Sequence, residues 1–315
     1  MAIVQVAATA FLSLALLALP AAAQKKYDPG ANDTEIKLGQ TMPYSGPLSG
    51  FITLAKAEIA YFAMINDQGG VNGRKLNMIS LDDGFSPPKT VEQTRRLVEQ
   101  DQVLAISGSL GTATNATVQK YLNARKVPQL FLATGASRWA DPEHFPYTMT
   151  LTPIYQAEAR IYATYVLKEI ANPAASIGVI MRPAGVEASK GIISAAFVKD
   201  PTDPQLKDDP EFQTWVAWMK KYYPAGSLED PQNVVGYVQA QAMVQVLKQC
   251  GDDLTRENVM RQAANLKAFH LAMLLKGINM NTSPTDYEPM EEMALQRFNG
   301  ERFELFGGLL SARFN

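Results

Sequence analysis

Residues 103–122 read VLAISGSLGTATNATVQKYL. An apolar run, Val103-Leu-Ala-Ile106, leads into a loop of glycines and hydroxyls, Ser107 to Thr117, and then into the periodic segment Val118-Gln-Lys-Tyr-Leu122. A short apolar run bounded by glycine reads as a buried strand, and apolar residues at helical spacing read as helix. The unit is therefore strand, loop, helix, and it repeats on either side. Upstream, Glu35-Ile-Lys-Leu-Gly-Gln-Thr41 alternates as a strand and Pro43-Tyr-Ser-Gly-Pro47 is a turn. Leu54, Ala57, Ile59, Ala60, Tyr61, Met64 and Ile65 then recur at helical spacing up to the glycine stop at Gly69-Gly70. Lys75 to Leu81 is a second strand with a helix from Pro87 to Gln100, and after the quoted stretch a helix runs from Ala113 to Lys126 before a strand at Val127 to Ala133. Strands alternating with helices of this length predict an α/β fold whose parallel sheet is covered on both faces.

In such sheets ligands sit outside the carboxyl ends of the strands, where loops run into helix N-termini. The loops Tyr44 to Phe51, Asp82 to Ser86, Ser107 to Thr117 and Thr134 to Ser137 all fall on that edge. Unpaired N–H groups at a helix N-terminus suit a carboxylate or another small anion. For any single residue, Thr112 or Thr114 for example, capping of its own helix is the competing reading. Several glycine or hydroxyl loops at one edge favour a binding site. A nucleotide cradle is excluded by spacing, because Gly108-x-x-Gly111 lacks both the third glycine of a dinucleotide fingerprint and the Gly-Lys-Ser/Thr end of a P-loop.

At 315 residues the chain suits two domains. Lys and Arg number 29 against 31 Asp and Glu, for a net charge of −2, and no dense basic run offers a nucleic-acid surface. Residues 2–23 are almost wholly apolar and end on Pro20-Ala-Ala-Ala23, the pattern of a secretory signal cleaved near Ala23. The competing reading is a membrane anchor, and no second apolar run approaches the roughly 20 residues of a bilayer span. Cys250 is the only cysteine, which rules out an internal disulfide and, lying far from the signal region, a lipid-modified N-terminus. The mature chain is expected to be soluble and periplasmic.

Catalysis finds no foothold. His144 and His270 are the only histidines, neither in a metal-pair spacing, and no G-x-S-x-G elbow occurs. Asp82-Asp83 could be an acid and base pair or a cation ligand, but more often such a pair caps a helix or binds a polar group. No catalytic residue, metal or cofactor is expected. A hydrolase would require His144 within hydrogen-bond reach of Ser137 or Ser109.

The sequence resembles the extracytoplasmic solute-binding proteins of branched-chain amino acid (Leu/Ile/Val-binding) type that feed ABC importers. The likeness is carried by IKLGQTMPYSGPLSG (36–50), AYFAMINDQGGVNGRKLNMISLDDGFSPPKTVEQTRRLV (60–98), SGSLGTATNATVQKYLNARKVPQLFLATGAS (107–137), YVQAQAMVQVLKQCGDDLTRENVMRQAANL (237–266) and NTSPTDYEPMEEMALQRFNGERFELFG (281–307). It implies a type I periplasmic-binding-protein fold, two Rossmann-like lobes with parallel sheets joined by three chain crossings. Lobe one would comprise 24–151 and 234–287, and lobe two 152–233 and 288–315. It further implies that the ligand carboxylate is held at Gly111-Thr112 and by the loop Gly135-Ala136-Ser137, with Ser109 a further candidate. The ammonium would be met by the Gly135 carbonyl and the Ser137 hydroxyl, and Phe51 would line the pocket. Where some members join two of these loops by a disulfide, this chain has Phe85 and Gly111. The expected partners are a small-molecule ligand, an amino acid or small carboxylate, and a membrane permease; the chain is expected to act as a monomer.

One departure stands out. After the helix Tyr155 to Ile170, Glu169-Ile-Ala-Asn-Pro173 passes directly into Ala174 to Gly185, a segment resembling one that follows the third strand of lobe two. Several tens of residues of that lobe are read as missing. The remaining strands, Gly191 to Phe197 and Met293 to Phe298, must form a reduced sheet, with ligand affinity lowered or lost. The alternatives are a periplasmic ligand-sensing module for a small amide or aromatic acid, and a family remnant that binds nothing.

Overall fold

The computed structural model describes residues 25–169 and 190–313. The expected signal segment, 1–23, and nearly all of the stretch on which the deletion was read, 170–185, lie outside the described residues. A short strand β1 (Lys26–Tyr27) pairs in parallel with β8 (Asp253–Leu254). The main sheet is built from β2 (Glu35–Met42), β3 (Lys75–Asp82), β4 (Ala105–Ser107), β5 (Gln129–Leu132) and β6 (Thr148–Thr150), in the order β3-β2-β4-β5-β6. All its pairings are parallel, with Leu38 opposite Ala105 and Gly39 opposite Ile106.

Successive strand residues face opposite sides, and the two sides carry different cores. Ile36 and Leu38 belong to the larger core with helix α1 (Ile52–Asp67) and with α6 (Pro231–Cys250), which packs along α1. Val103 and Ile106 belong to the other, with Leu97, Val118 and Leu122. These come from α3 (Thr112–Ala124) and from the turn Arg96–Gln100 that continues α2 (Pro87–Arg95). The strand order reverses between β2 and β4, so the chain leaving β2 turns to one face and the chain leaving β4 to the other. The crevice opened there is where doubly wound sheets bind ligands.

One expectation for the first helix inverts. Ile59, counted with its apolar positions, is 37% exposed, and Glu58 is fully buried. Glu58 accepts hydrogen bonds from Gln40 Nε2 at 2.7 Å and Ser107 Oγ at 2.7 Å, which tie helix, central strand and binding-edge loop together.

The second sheet holds β7 (Ile193–Ala196), β9 (Glu292–Phe298) and β10 (Phe303–Ser311), in the order β10-β9-β7. Its strands are antiparallel, where parallel sheets were expected in both lobes. For β9 and β10 the reason is local: they are joined by four residues, too few for the crossover a parallel pair needs. Asn299 Oδ1 accepts the N–H groups of Glu301 and Arg302 in that turn. Helix α4 (Tyr155–Glu169) covers one face, Ala157 and Ile161 packing with Met293 and Leu295.

Helix α5 (Pro210–Tyr222) starts on Asp209, whose carboxylate accepts the Glu211 and Phe212 N–H groups. Its Trp218 ring lies 6.2 Å from that of Tyr61 and 4.7 Å from that of Tyr237, so α5 packs into the larger core beside α1 and α6. Helix α7 (Arg256–Ala263) completes that side, capped by Thr255. Cys250 is buried, and burial pushes its thiol up to about 12, leaving it inert.

Candidate binding site

A cavity of about 570 Å³ opens between the carboxyl edge of the first sheet and the second sheet. Four expected residues line it: Phe51, Gly111, Thr112 and Gly135. Phe51 ends the loop from β2, Gly111 and Thr112 begin α3, and Gly135 follows β5.

The start of α3 is built to remain open. Its N-cap is Gly111, with φ +95°, and no side chain caps it. Thr114 turns back, its hydroxyl donating to the Leu110 carbonyl at 2.7 Å, while the Thr112 hydroxyl meets the Thr134 hydroxyl at 2.5 Å. The competing reading, in which Thr112 or Thr114 caps the helix, is therefore not realised. A helix N-terminus without a capping side chain leaves donors and partial positive charge for an anion. A Cβ on Gly111 would stand 2.3 Å from the Phe85 ring. Aromatic packing thus holds together the two loops that a disulfide joins in some members of the resembled family.

Gly135 has a matching role. A Cβ there would lie 2.6 Å from the Pro153 carbonyl and 2.9 Å from the Tyr155 ring. Its absence lets Tyr155 lean over the seat with its hydroxyl 3.4 Å from Thr134 Oγ1.

Three expected residues are not among those lining the cavity. Ser109 is fully buried behind it, its hydroxyl accepting the Thr41 N–H at 3.1 Å. Ser137 accepts from Gln156 Nε2 at 2.7 Å, and Ala136 precedes it on the short turn Ser137–Trp139. Sequence reasoning did not pick out Phe85, Thr134, Tyr155, Glu158 and Lys199 as site residues, and all of them line the cavity. The signal for Tyr155 was weak, because β6 is three residues of Thr-Met-Thr, too short and polar to announce the binding-edge loop after it.

The charged groups are already engaged. Lys199 Nζ donates to Asp209 Oδ2 at 2.9 Å, Glu211 Oε2 at 2.7 Å and the Ala272 carbonyl at 3.1 Å. Burial acts to raise both carboxyls, but hydrogen bonds outweigh it and hold them below the ordinary carboxylate value, from Lys199 and the Phe212 N–H at Asp209 and from Lys199 and His270 at Glu211. Glu158 accepts the Tyr162 hydroxyl.

Asp82 and Asp83 are structural. Asp82 accepts from Ser45 and Lys89, and Asp83 accepts from the Phe85 N–H and the Thr90 hydroxyl. His144 pairs with Asp141 at 3.0 Å, while Ser109 and Ser137 are bonded to Thr41 and Gln156, so the hydrolase arrangement is not assembled. Among the described residues no cluster of three or more His, Cys, Asp or Glu side chains could hold a metal ion.

The periplasmic binding protein family matches residues 35–196, just over half of the chain. The chain belongs to the periplasmic binding protein family. The family and its fold are those of substrate-binding proteins, not of enzymes. An amino acid binding protein of Pseudomonas aeruginosa is 41% identical over 44 residues, 14% of this chain, and the match spans only 12% of that relative's length. A branched-chain amino acid ABC transporter protein of Thermus thermophilus, solved with bound valine, superposes with a TM-score of 0.74 at 13% identity, covering 89% of this chain and 97% of that one. A solute-binding protein of an ABC transporter from Rhodopseudomonas palustris, in complex with 3,4-dihydroxybenzoic acid, gives a TM-score of 0.68 at 16% identity, with 89% and 98% covered. This periplasmic binding protein thus has the type I α/β fold that the resemblance implied.

Proposed function

We propose that this periplasmic binding protein is the extracytoplasmic solute-binding component of an ABC importer, holding an amino acid or similar small carboxylate between two lobes. The observation that carries this reading is the uncapped N-terminus of α3, with the Thr112 and Thr134 hydroxyls beside it, on the wall of a cavity of about 570 Å³. The ligands named for the two solved relatives, valine and 3,4-dihydroxybenzoic acid, share a carboxylate, which is the group such a seat suits. Export with cleavage near Ala23, a monomeric working state and a membrane permease as partner belong to the same reading.

The lobes are proposed as 24–151 with 234–287 and 152–233 with 288–315, modified at one point. Because α5 packs on α1, residues 210–222 are placed with the first lobe. The chain crossing then falls near Lys199, where Val198 bridges to Leu274.

Calorimetric titration with a panel of amino acids and aromatic carboxylates, beside a Thr112→Ala variant, tests the reading. Loss of one hydrogen bond to a charged group should weaken binding about tenfold or more. Binding indifferent to Thr112→Ala would remove the carboxylate assignment, and absence of binding across the panel would favour the remnant.

A further inference from the structure

We propose that Gln239, across the first sheet from α3, is a positioning residue for the carboxylate seat: it holds a bulge in β5 that turns Thr134 toward Thr112. This rests on the solute-binding reading above and deepens it by naming a group that sets the seat's geometry without lining the cavity. Side chains of a strand alternate between its two faces. Gln129, at the start of β5, points to α3, its amide donating to Asn115 Oδ1 at 3.0 Å. Plain alternation would therefore place Phe131 on the α3 side, and Leu130, Leu132 and Thr134 on the side of α1 and α6. The structure departs from this after Leu130. Phe131 joins Leu130 in the larger core, and Ala133 packs with Leu54 and Ala55 of α1 and Val235 of α6. Thr134 then faces the other way, where its hydroxyl meets Thr112 at the start of α3. The cause is one extra residue. Gln129 pairs with Thr148 and Leu132 with Thr150, so three steps along β5 match two along β6. Phe131 lies inside this bulge with φ +55°, a left-handed conformation unfavourable for a bulky side chain. A slip of one residue moves every following side chain to the opposite face, and here it brings Thr134 to the seat.

Gln239 secures the bulge. It stands on α6, fully buried, and its Nε2 donates to the Phe131 carbonyl at 2.7 Å. The carbonyls on either side are used within the sheet, Leu130 taking the Gly108 N–H at 3.0 Å and Leu132 the Leu151 N–H at 3.2 Å. The Phe131 carbonyl, displaced by the bulge, is met from the helix instead. Gln239 Oε1 has no hydrogen-bond partner. A buried amide with one end unpaired stabilises a core less than an apolar side chain of the same shape, so the effect of Gln239 lies in the one bond that it makes to the bulge. Without that bond the Phe131 carbonyl is buried unpaired beside a left-handed φ, and a shift toward plain alternation relieves both. Thr134 would then turn off the seat, and the hydroxyl that links Thr112 with Tyr155 would be lost.

The contact between Thr134 and Thr112 can be read without a ligand. In protein labelled at its threonine methyl groups, the wild type should show a nuclear Overhauser effect between these two residues, and Gln239→Leu should lose it. Val246→Ala, which removes buried bulk from the same helix, should keep it. If Gln239→Leu does not fold, Gln239→Asn, whose amide is one methylene shorter, takes its place. Calorimetry with L-valine and 3,4-dihydroxybenzoate gives the second readout. Whichever of them binds the wild type should bind Gln239→Leu about tenfold more weakly, and Val246→Ala with unchanged affinity. Added to Thr134→Val, Gln239→Leu should weaken binding by no more than about twofold further, because both act through one hydroxyl. A methyl contact that survives in Gln239→Leu overturns the positioning role, and so does equal weakening by Val246→Ala or a fully additive double variant. No binding by the wild type across the panel used above, these two ligands included, overturns the solute-binding reading instead, and the methyl contact then decides the geometry on its own.

Discussion

The two sheets place similar strand residues in different surroundings. In the first, every residue of β5 is buried, because α1 and α6 cover one face and α2 and α3 the other. In the second, α4 covers one face, and β10 leaves Leu305 47% and Leu309 40% exposed. A parallel sheet made by β-α-β crossovers brings its own cover, whereas an antiparallel hairpin does not. The first sheet therefore builds its side of the cavity on a support covered on both faces, and the second contributes its wall from a strand triplet covered on one.

The sharpest way to break this comparison is to remove bulk from each side. Phe62 is 2% exposed on α1 within the larger core, and Phe62→Ala should cost about 3–5 kcal/mol of unfolding free energy. Leu305→Ala on the open face of β10 should stay within about 0.5 kcal/mol. Urea denaturation of both variants provides the check. Comparable losses would mean that the second sheet is covered in solution by something other than α4.

A smaller effect follows from the polar group buried between α1 and the first sheet. Burial raises the Glu58 carboxyl to about 7, against the hydrogen bonds from Ser107 and Gln40 that favour its charged form. A carboxyl whose native value lies above its unfolded value takes up its proton first in the native state. Its contribution to stability is thus fully present below its ordinary value of 4.5 and is lost as pH rises through about 7. The loss across that window is on the order of 3 kcal/mol. Glu58→Gln keeps an acceptor for Gln40 and a partner for Ser107, and should flatten this pH dependence between pH 5 and pH 8 in paired urea titrations. An unchanged slope in the variant would show that Glu58 titrates normally.

Glu58 also marks how far the sequence could be read. The strand, loop and helix units around the first sheet, and the edge on which their loops gather, follow from period and glycine spacing alone, whereas Gly111-Thr112 was singled out on that edge only by the family resemblance. The face of α1 was misjudged at Ile59, and the burial of Glu58 depends on Gln40 and Ser107, 18 and 49 residues away in the chain. Tyr155, Lys199 and Phe303 belong to the cavity only once the second sheet lies against the first, a relation that no local pattern carries. The hairpin of β9 and β10 had its own signal in Asn299-Gly300, a pair favoured in tight strand connections. Reading Met293 to Phe298 as one strand of a parallel sheet hid it.

The smallest predicted effect concerns the open face itself. Among the described residues β10 is the outer strand of its sheet, with one row of backbone donors and acceptors unpaired by any neighbouring strand and two exposed leucines beside it. Edge strands of this kind are templates for pairing between chains, and lysines on them oppose it. The double variant Leu305→Lys, Leu309→Lys removes little buried area, so its stability should stay within about 0.5 kcal/mol of the wild type. Its association should change more than its folding. By sedimentation velocity across a concentration series, the wild-type chain should show weak self-association at the highest concentrations, and the variant should remain monomeric. If both sediment identically as monomers, the edge is already protected, and the difference in cover between the two sheets has no consequence beyond the site they share.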